Sequence, residues 1–197
     1  MSRTAVKRPA DRRKIIVYAT IAVVLVAIVV AVGLSNRTNV VPENATQSPI
    51  QSNLKVGDRA PEFAVQTDAG PFDLNQTSTP VLLEVFATWC PHCQHETTVM
   101  NDLAAKYQGK IAIVAVSGDA KDMTYNGPES QADVNRFAQT FNVRYPVAFD
   151  PQLTVAHEYL KNGFPTLVLI DKNKKVAWMT DGETPESEIV KAIDKLG

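Results

Sequence analysis

Cysteine is scarce in this chain. Two residues in 197, Cys90 and Cys93, exclude a small scaffold stapled by several disulfides. They also exclude a zinc finger built from two separated ligand pairs. Histidine is nearly as rare, with three, and two of these, His92 and His95, fall in the same short stretch as the cysteines. A positive excess is missing from the body of the chain. From Leu54 onward 13 Lys and Arg stand against 19 Asp and Glu, a net charge of -6 that gives nucleic acid no electrostatic footprint. There is no internal repeat.

Positive charge does gather at the start, where Arg3, Lys7, Arg8, Arg12, Arg13 and Lys14 face Asp11 alone, a tail of +5. Ile15 to Leu34 then read IIVYATIAVVLVAIVVAVGL without a charge. Twenty helical residues rise about 30 Å, the hydrocarbon thickness of a bilayer. A buried core helix usually keeps a polar side, and this run has none. It exceeds the roughly 7–15 apolar residues of a signal-peptide core, and Ala31-Val32-Gly33 is only a faint cleavage site. No cysteine follows to carry a lipid. The expectation is a basic cytoplasmic tail over 1–14 and an uncleaved single-pass anchor in the cell membrane over 15–34. The positive-inside rule then leaves the remainder extracytoplasmic. Residues 35–53, SNRTNVVPENATQSPIQSN, are polar with two prolines and read as a flexible linker.

Residues 54–197 alternate strand-like and helix-like segments. Glu62–Gln66 is a short strand candidate, with Gly70-Pro71 turning the chain back. Val81–Ala87 (VLLEVFA) and Ile111–Val116 (IAIVAV) are apolar runs of strand length, as expected for buried central strands. Pro91 suits the first helical position, Met100, Leu103, Ala104 and Tyr107 share a face, and Gly109 closes the helix. Gln131–Phe141 is helical by the spacing of Val134, Phe137, Ala138 and Phe141. Thr166–Ile170 and Val176–Met179 are strands joined by a turn. Thr184 is the expected cap of a last helix containing Ile189, Ile193 and Leu196. Strands interleaved with helices predict an α/β domain, a sheet covered by helices on both faces.

The stretch Thr88-Trp-Cys-Pro-His-Cys-Gln-His95 carries the chemistry. His92 and Cys93 project from different sides of one helical turn, so one ion could hardly collect Cys90, His92, Cys93 and His95, and no metal is expected. A redox pair suits the position. Cys90 follows a buried strand and opens a helix, where free N–H groups and the helix dipole favour a thiolate, the nucleophile of disulfide exchange. Cys93 lies one turn inward and can reach back to attack a mixed disulfide. Pro91 fixes the turn between them, and a protonated His92 would lower the Cys90 pKa further. Trp89 is expected to cover the dithiol, and His95 and His157 to lie on the surface.

Glu84-Val-Phe-Ala-Thr-Trp-Cys-Pro-His-Cys93, followed by Tyr159-Leu-Lys-Asn-Gly-Phe-Pro-Thr-Leu-Val-Leu-Ile-Asp171, resembles the thioredoxin superfamily. With Val56-Gly-Asp-Arg-Ala-Pro-Glu-Phe63 and the anchor, it looks like the TlpA/ResA branch of tethered thiol–disulfide oxidoreductases. The resemblance covers 54–197. It implies the thioredoxin-like fold (a central mixed β-sheet flanked by helices), no cofactor beyond the Cys90–Cys93 disulfide, Cys90 as attacking thiol and Cys93 as resolving thiol. It makes Pro165 a cis-proline facing the dithiol, with the Phe164 backbone free to pair with substrate. Two departures stand out. Glu84 lies where thioredoxin keeps a buried acid, a position often not acidic in ResA-like relatives. It is read as a proton carrier for Cys93, the alternative being a carboxylate in a wet crevice or an ion pair. The Pro-His pair is that of DsbA, yet Asp119–Ser130 is too short to be the helical insertion of DsbA.

The function these residues imply is thiol–disulfide exchange with protein substrates outside the cytoplasm, with a membrane redox partner to recycle the pair. Two alternatives stay open: reduction of apocytochrome c thiols for haem attachment, and a copper-delivery module using two thiolates and a histidine.

Overall fold

The computed structural model describes residues 51–196. The basic tail, the expected anchor and residues 35–50 of the linker lie outside them. Among the described residues no helix is long and apolar enough to cross a membrane.

Seven strands form one mixed sheet: β1 (Ala64–Thr67), β2 (Gly70–Asp73), β3 (Val81–Phe86), β4 (Ala112–Ser117), β5 (Val147–Phe149), β6 (Thr166–Ile170) and β7 (Val176–Asp181). Their order is β2-β1-β5-β4-β3-β6-β7. β3, β4 and β5 run parallel, β6 runs antiparallel to β3, and β7 runs antiparallel to β6. Among the described residues the helices are α1 (Pro91–Lys106), α2 (Gln131–Thr140), α3 (Thr154–Tyr159) and α4 (Glu186–Asp194). This is the thioredoxin-like α/β arrangement, a mixed sheet with helices on both faces.

Strand β3 is buried along its whole length, as its unbroken apolar run predicts. Its side chains alternate between two cores. Leu82 and Phe86 pack with Met100 and Leu103 of α1, Phe137 of α2 and Ile189 of α4. Val81, Leu83 and Val85 pack on the other face with Val155, Ala156 and Tyr159 of α3. Glu84, in step with Leu82 and Phe86, therefore belongs to the α1 face.

Three differences from the sequence expectations have local causes. β1 begins two residues later than Glu62, because its ladder partner β2, which pairs Ala64 with Asp73, is only four residues long. β5 escapes sequence reading because three residues are too few to show a period. Thr184 is not the cap of α4. Pro185 holds that position, while the Thr184 hydroxyl donates to the Gly182 carbonyl (3.1 Å) and its N–H to Glu96 (3.1 Å). At the domain's start, the Ser52 N–H donates to the Leu160 carbonyl (2.6 Å) and the Gln51 side chain to Asn162 (2.8 Å), so residues beside Leu54 lie against the domain.

Candidate active site

Cys90 is the N-cap of α1, with extended backbone (φ -78°, ψ 117°), and Pro91 takes the first helical position. Proline there costs no hydrogen bond, since the first N–H groups of a helix have no intrahelical acceptor. Both cysteines are free thiols, Cys90 nearly buried and Cys93 wholly so. The Cys90 thiol donates to the carbonyl of Phe164 at 3.6 Å. The Phe164–Pro165 bond is cis, as the resemblance implies. A Cβ on Gly118, at the end of β4, would come within 2.5 Å of Val85 and 3.1 Å of the Phe164 ring, so glycine lets that ring seat beside the strand.

The two thiols are driven apart electrostatically. Cys90 is held down to about 6, first by the hydrogen bond from the Cys93 thiol, then by the backbone N–H groups of Cys93 and His92 and last by the His92 charge, against the opposing effect of burial. Burial, before any other cause, pushes the Cys93 thiol far up, and the thiol's bond to Cys90 and the charge of Glu84 add to this. One sulfur thus ionises near neutral pH as a nucleophile, and the other waits as a thiol until something removes its proton.

Glu84 is 1% exposed, and its carboxyl accepts from the Tyr145 hydroxyl at 3.2 Å. Among the described residues no cation pairs with it. Burial raises its pKa to about 8, with Glu96 adding to the rise and Tyr145 opposing it. A carboxyl with that pKa exchanges its proton close to physiological pH.

Four further groups were not singled out in the sequence. Glu96, one turn beyond Cys93, is buried with one oxygen bonded by the Thr184 N–H and the other without a partner, and burial raises its pKa to about 7. Its i+3 spacing from Cys93 is the signal that could have found it. Glu129 accepts from the Thr88 hydroxyl (2.7 Å) and from the Ser117 hydroxyl, and burial raises it to about 7. Tyr145 and Glu183 come from distant parts of the chain, and no spacing announces them. Glu183 Oε1 accepts from Nδ1 of both His92 (3.0 Å) and His95 (2.9 Å). Its hydrogen bond raises the pKa of His92. His95 and His157 are exposed, as expected. Trp89 lies edge-on to Phe164, with ring centroids 6.0 Å apart. The structure thus gathers Cys90, Cys93, Glu84, Trp89, Pro91, His92, Phe164 and Pro165 at one end of the central strands.

The model of the AhpC/TSA family matches residues 56–179. A thiol–disulfide oxidoreductase ResA of Geobacillus thermodenitrificans is 28% identical over 177 residues, covering 88% of this chain and 92% of the relative. The thioredoxin-like protein YneN of Bacillus subtilis is 26% identical over 151 residues, 76% of this chain and 85% of YneN. A solved structure from Chlorobium tepidum, assigned as thiol:disulfide interchange protein DsbE, is 32% identical with a TM-score of 0.60, covering 71% of this chain and 99% of that one. With a nucleophilic cysteine at a helix start, a buried partner one turn in and these relatives, the chain belongs to the AhpC/TSA family, on the TlpA/ResA-like branch of the thioredoxin superfamily, and is a thiol–disulfide oxidoreductase.

Proposed function

We propose that this protein is tethered by residues 15–34 to the cell membrane and exchanges disulfides with protein substrates outside the cytoplasm. The observation that carries the exchange chemistry is the pairing of an ionisable Cys90, against the Phe164 carbonyl, with a fully buried Cys93 next to a protonatable Glu84. In the oxidising direction a substrate thiolate attacks Cys90 Sγ of the Cys90–Cys93 disulfide. The Cys93 sulfur leaves with the electron pair and takes a proton from Glu84. A second substrate thiolate then attacks the substrate sulfur of the mixed disulfide, forming the substrate disulfide and releasing Cys90 as thiolate. The reducing direction is the same path reversed, with Glu84 removing the Cys93 proton before Cys93 attacks.

Direction follows from which form the protein stabilises. A thiolate held at about 6 stabilises the dithiol and makes the disulfide a better oxidant. Reference potentials run from about -270 mV in thioredoxin to about -120 mV in DsbA, and an intermediate poise of about -200 to -250 mV is expected here. The test is equilibration of the full-length protein with glutathione, together with oxidation of a reduced, unfolded substrate. A potential at or below that of thioredoxin would make reduction, as of apocytochrome c, the better reading. The tether rests on the uncharged run Ile15–Leu34 behind a basic tail. Full-length protein should stay with membranes through alkaline carbonate washing, and a soluble form beginning near Ser35 would overturn it.

A further inference from the structure

Between β4 and α2 the chain forms a loop, residues 118–130, built to hold one aromatic ring in the open. Buried Glu129 fixes its base through the Thr88 and Ser117 hydroxyls, and the Glu129 N–H donates to the Ala120 carbonyl at 2.8 Å. Lys121 and Pro128 form a bridge, and the Asp122 N–H donates to the Gly127 carbonyl at 3.0 Å. At the tip, Asp122 Oδ1 accepts from the Thr124 N–H (2.9 Å), the Thr124 hydroxyl (2.8 Å) and the Asn126 N–H (3.2 Å). These bonds hold Tyr125 at φ 61°, a left-handed conformation that bulky residues seldom adopt.

The ring so held is 58% exposed, one of two exposed large hydrophobic side chains among the described residues, the other being Val56. It stands edge-on to Trp89 with centroids 5.0 Å apart, and Trp89 stands edge-on to Phe164 at 6.0 Å. The Phe164 carbonyl is the one that Cys90 reaches. Two edge-on contacts therefore link Tyr125 to the residue at the nucleophile, a reach of at most about three residues of extended chain. The Trp89 indole N–H is buried without an acceptor among the described residues. Strained backbone persists where the surroundings over-determine it, and such places cluster at ligand clamps. Burial does not account for this one: Lys121 Nζ lies 6.0 Å from the Tyr125 ring centroid and Trp89 meets its edge, yet more than half of the residue is exposed.

We propose that Tyr125 is a specificity-determining residue of the exchange reaction: with Trp89 it docks a large apolar or aromatic side chain lying two or three residues from the reacting cysteine of an extended polypeptide. The surface is continuous with the Cys90 site, which any substrate must touch, so the occupant is the polypeptide flanking that cysteine. The inference rests on Cys90 attacking protein substrates, as proposed above.

The test compares full-length wild type, Tyr125→Ala, Tyr125→Gly and Tyr125→Phe in detergent. Three disulfides serve as probes: a peptide with Phe two residues from its cysteine, the same peptide with Ser there, and bis(2-hydroxyethyl) disulfide. The Ala and Gly variants should raise KM for the Phe peptide about three- to tenfold, with kcat, the Cys90 pKa and the reaction with the small disulfide unchanged. Tyr125→Phe should behave as wild type. Glycine is at ease at this φ, so the second variant separates lost docking from lost folding. An unchanged KM for the Phe peptide, equal losses on all three probes, or a wild type that treats the two peptides alike would overturn the proposal. A wild type inert toward every disulfide would instead overturn the exchange function itself.

Discussion

The two faces of strand β3 are made from the same strand and the same kind of residue, yet they do different work. On the α3 face, Val81, Leu83 and Val85 meet Val155, Ala156 and Tyr159. The buried acid in the turn before α3, Asp150, is bonded by the N–H groups of Gln152 (3.2 Å) and Val155 (2.8 Å), an ordinary turn-holding role. On the α1 face the same strand offers Glu84 between Leu82 and Phe86, and Glu96, Tyr145 and Cys93 join it below the nucleophile. Here the acids are poorly compensated: Glu84 has one hydroxyl, and one oxygen of Glu96 has nothing. Buried groups without enough partners cost stability and shift their pKa toward the neutral form. One face holds the sheet together, and the other accepts that cost in order to move protons and electrons.

The sharpest division should come from the cysteines. Cys90→Ser should reduce exchange to background, whereas Cys93→Ser should leave the first attack intact and accumulate a mixed disulfide visible by non-reducing electrophoresis. An active Cys90→Ser protein would place the nucleophile elsewhere. On the opposite face, Leu83→Ala should cost about 2–5 kcal/mol in denaturant unfolding while leaving the Cys90 pKa and the exchange rate of the folded protein unchanged. Movement of that pKa would mean that the faces are coupled.

Glu84→Gln tests the cost directly. Glu84 keeps its proton to about 8 in the fold against 4.5 for a glutamate in water, so the folded state binds more protons across that window. Stability should therefore be greatest near and below pH 4.5 as far as this group is concerned, and fall as pH rises through 8. Wild type and Glu84→Gln should match near and below pH 4.5, and the variant should become more stable by roughly 2 kcal/mol at pH 6 and by on the order of 4–5 kcal/mol at pH 9. The variant should also release mixed disulfides about tenfold more slowly, since proton transfer at Cys93 is lost. Parallel stability curves across this range would contradict the raised pKa.

The smallest effect belongs to His92. Its charge comes last among the causes that lower Cys90, after the Cys93 thiol and two backbone N–H groups, and its ring is exposed and bonded to Glu183. His92→Ala should raise the Cys90 pKa slightly and shift the glutathione equilibrium about two- to threefold toward a more reducing protein, less at high salt. Unchanged values would leave the helix terminus and Cys93 as the whole of the tuning.

Much of this site is legible in the chain because its logic is local. An apolar run of strand length, a C-x-x-C pair with proline at the helix start, and Glu84 at an even step from Leu82 and Phe86 each declare themselves within a few residues. The parts that were missed are joined across the fold. Glu129 meets Thr88 over 41 positions, Tyr145 meets Glu84 over 61, and Glu183 meets His92 over 91. No periodicity links residues so far apart, and each looks like an ordinary loop or surface residue until the sheet is assembled.

The sequence by itself determined the alternation of strands and helices, the identity of the redox pair and the place of an acid within the central strand. These follow from spacing, turn chemistry and the side-chain preferences of short segments. Only the tertiary structure decided how far each ionisable group is removed from water, which oxygen of Glu96 is left without a partner, and which ring stands beside Trp89. Desolvation and long-range hydrogen bonds depend on what the remaining chain packs around a group, and that is settled only when distant segments meet.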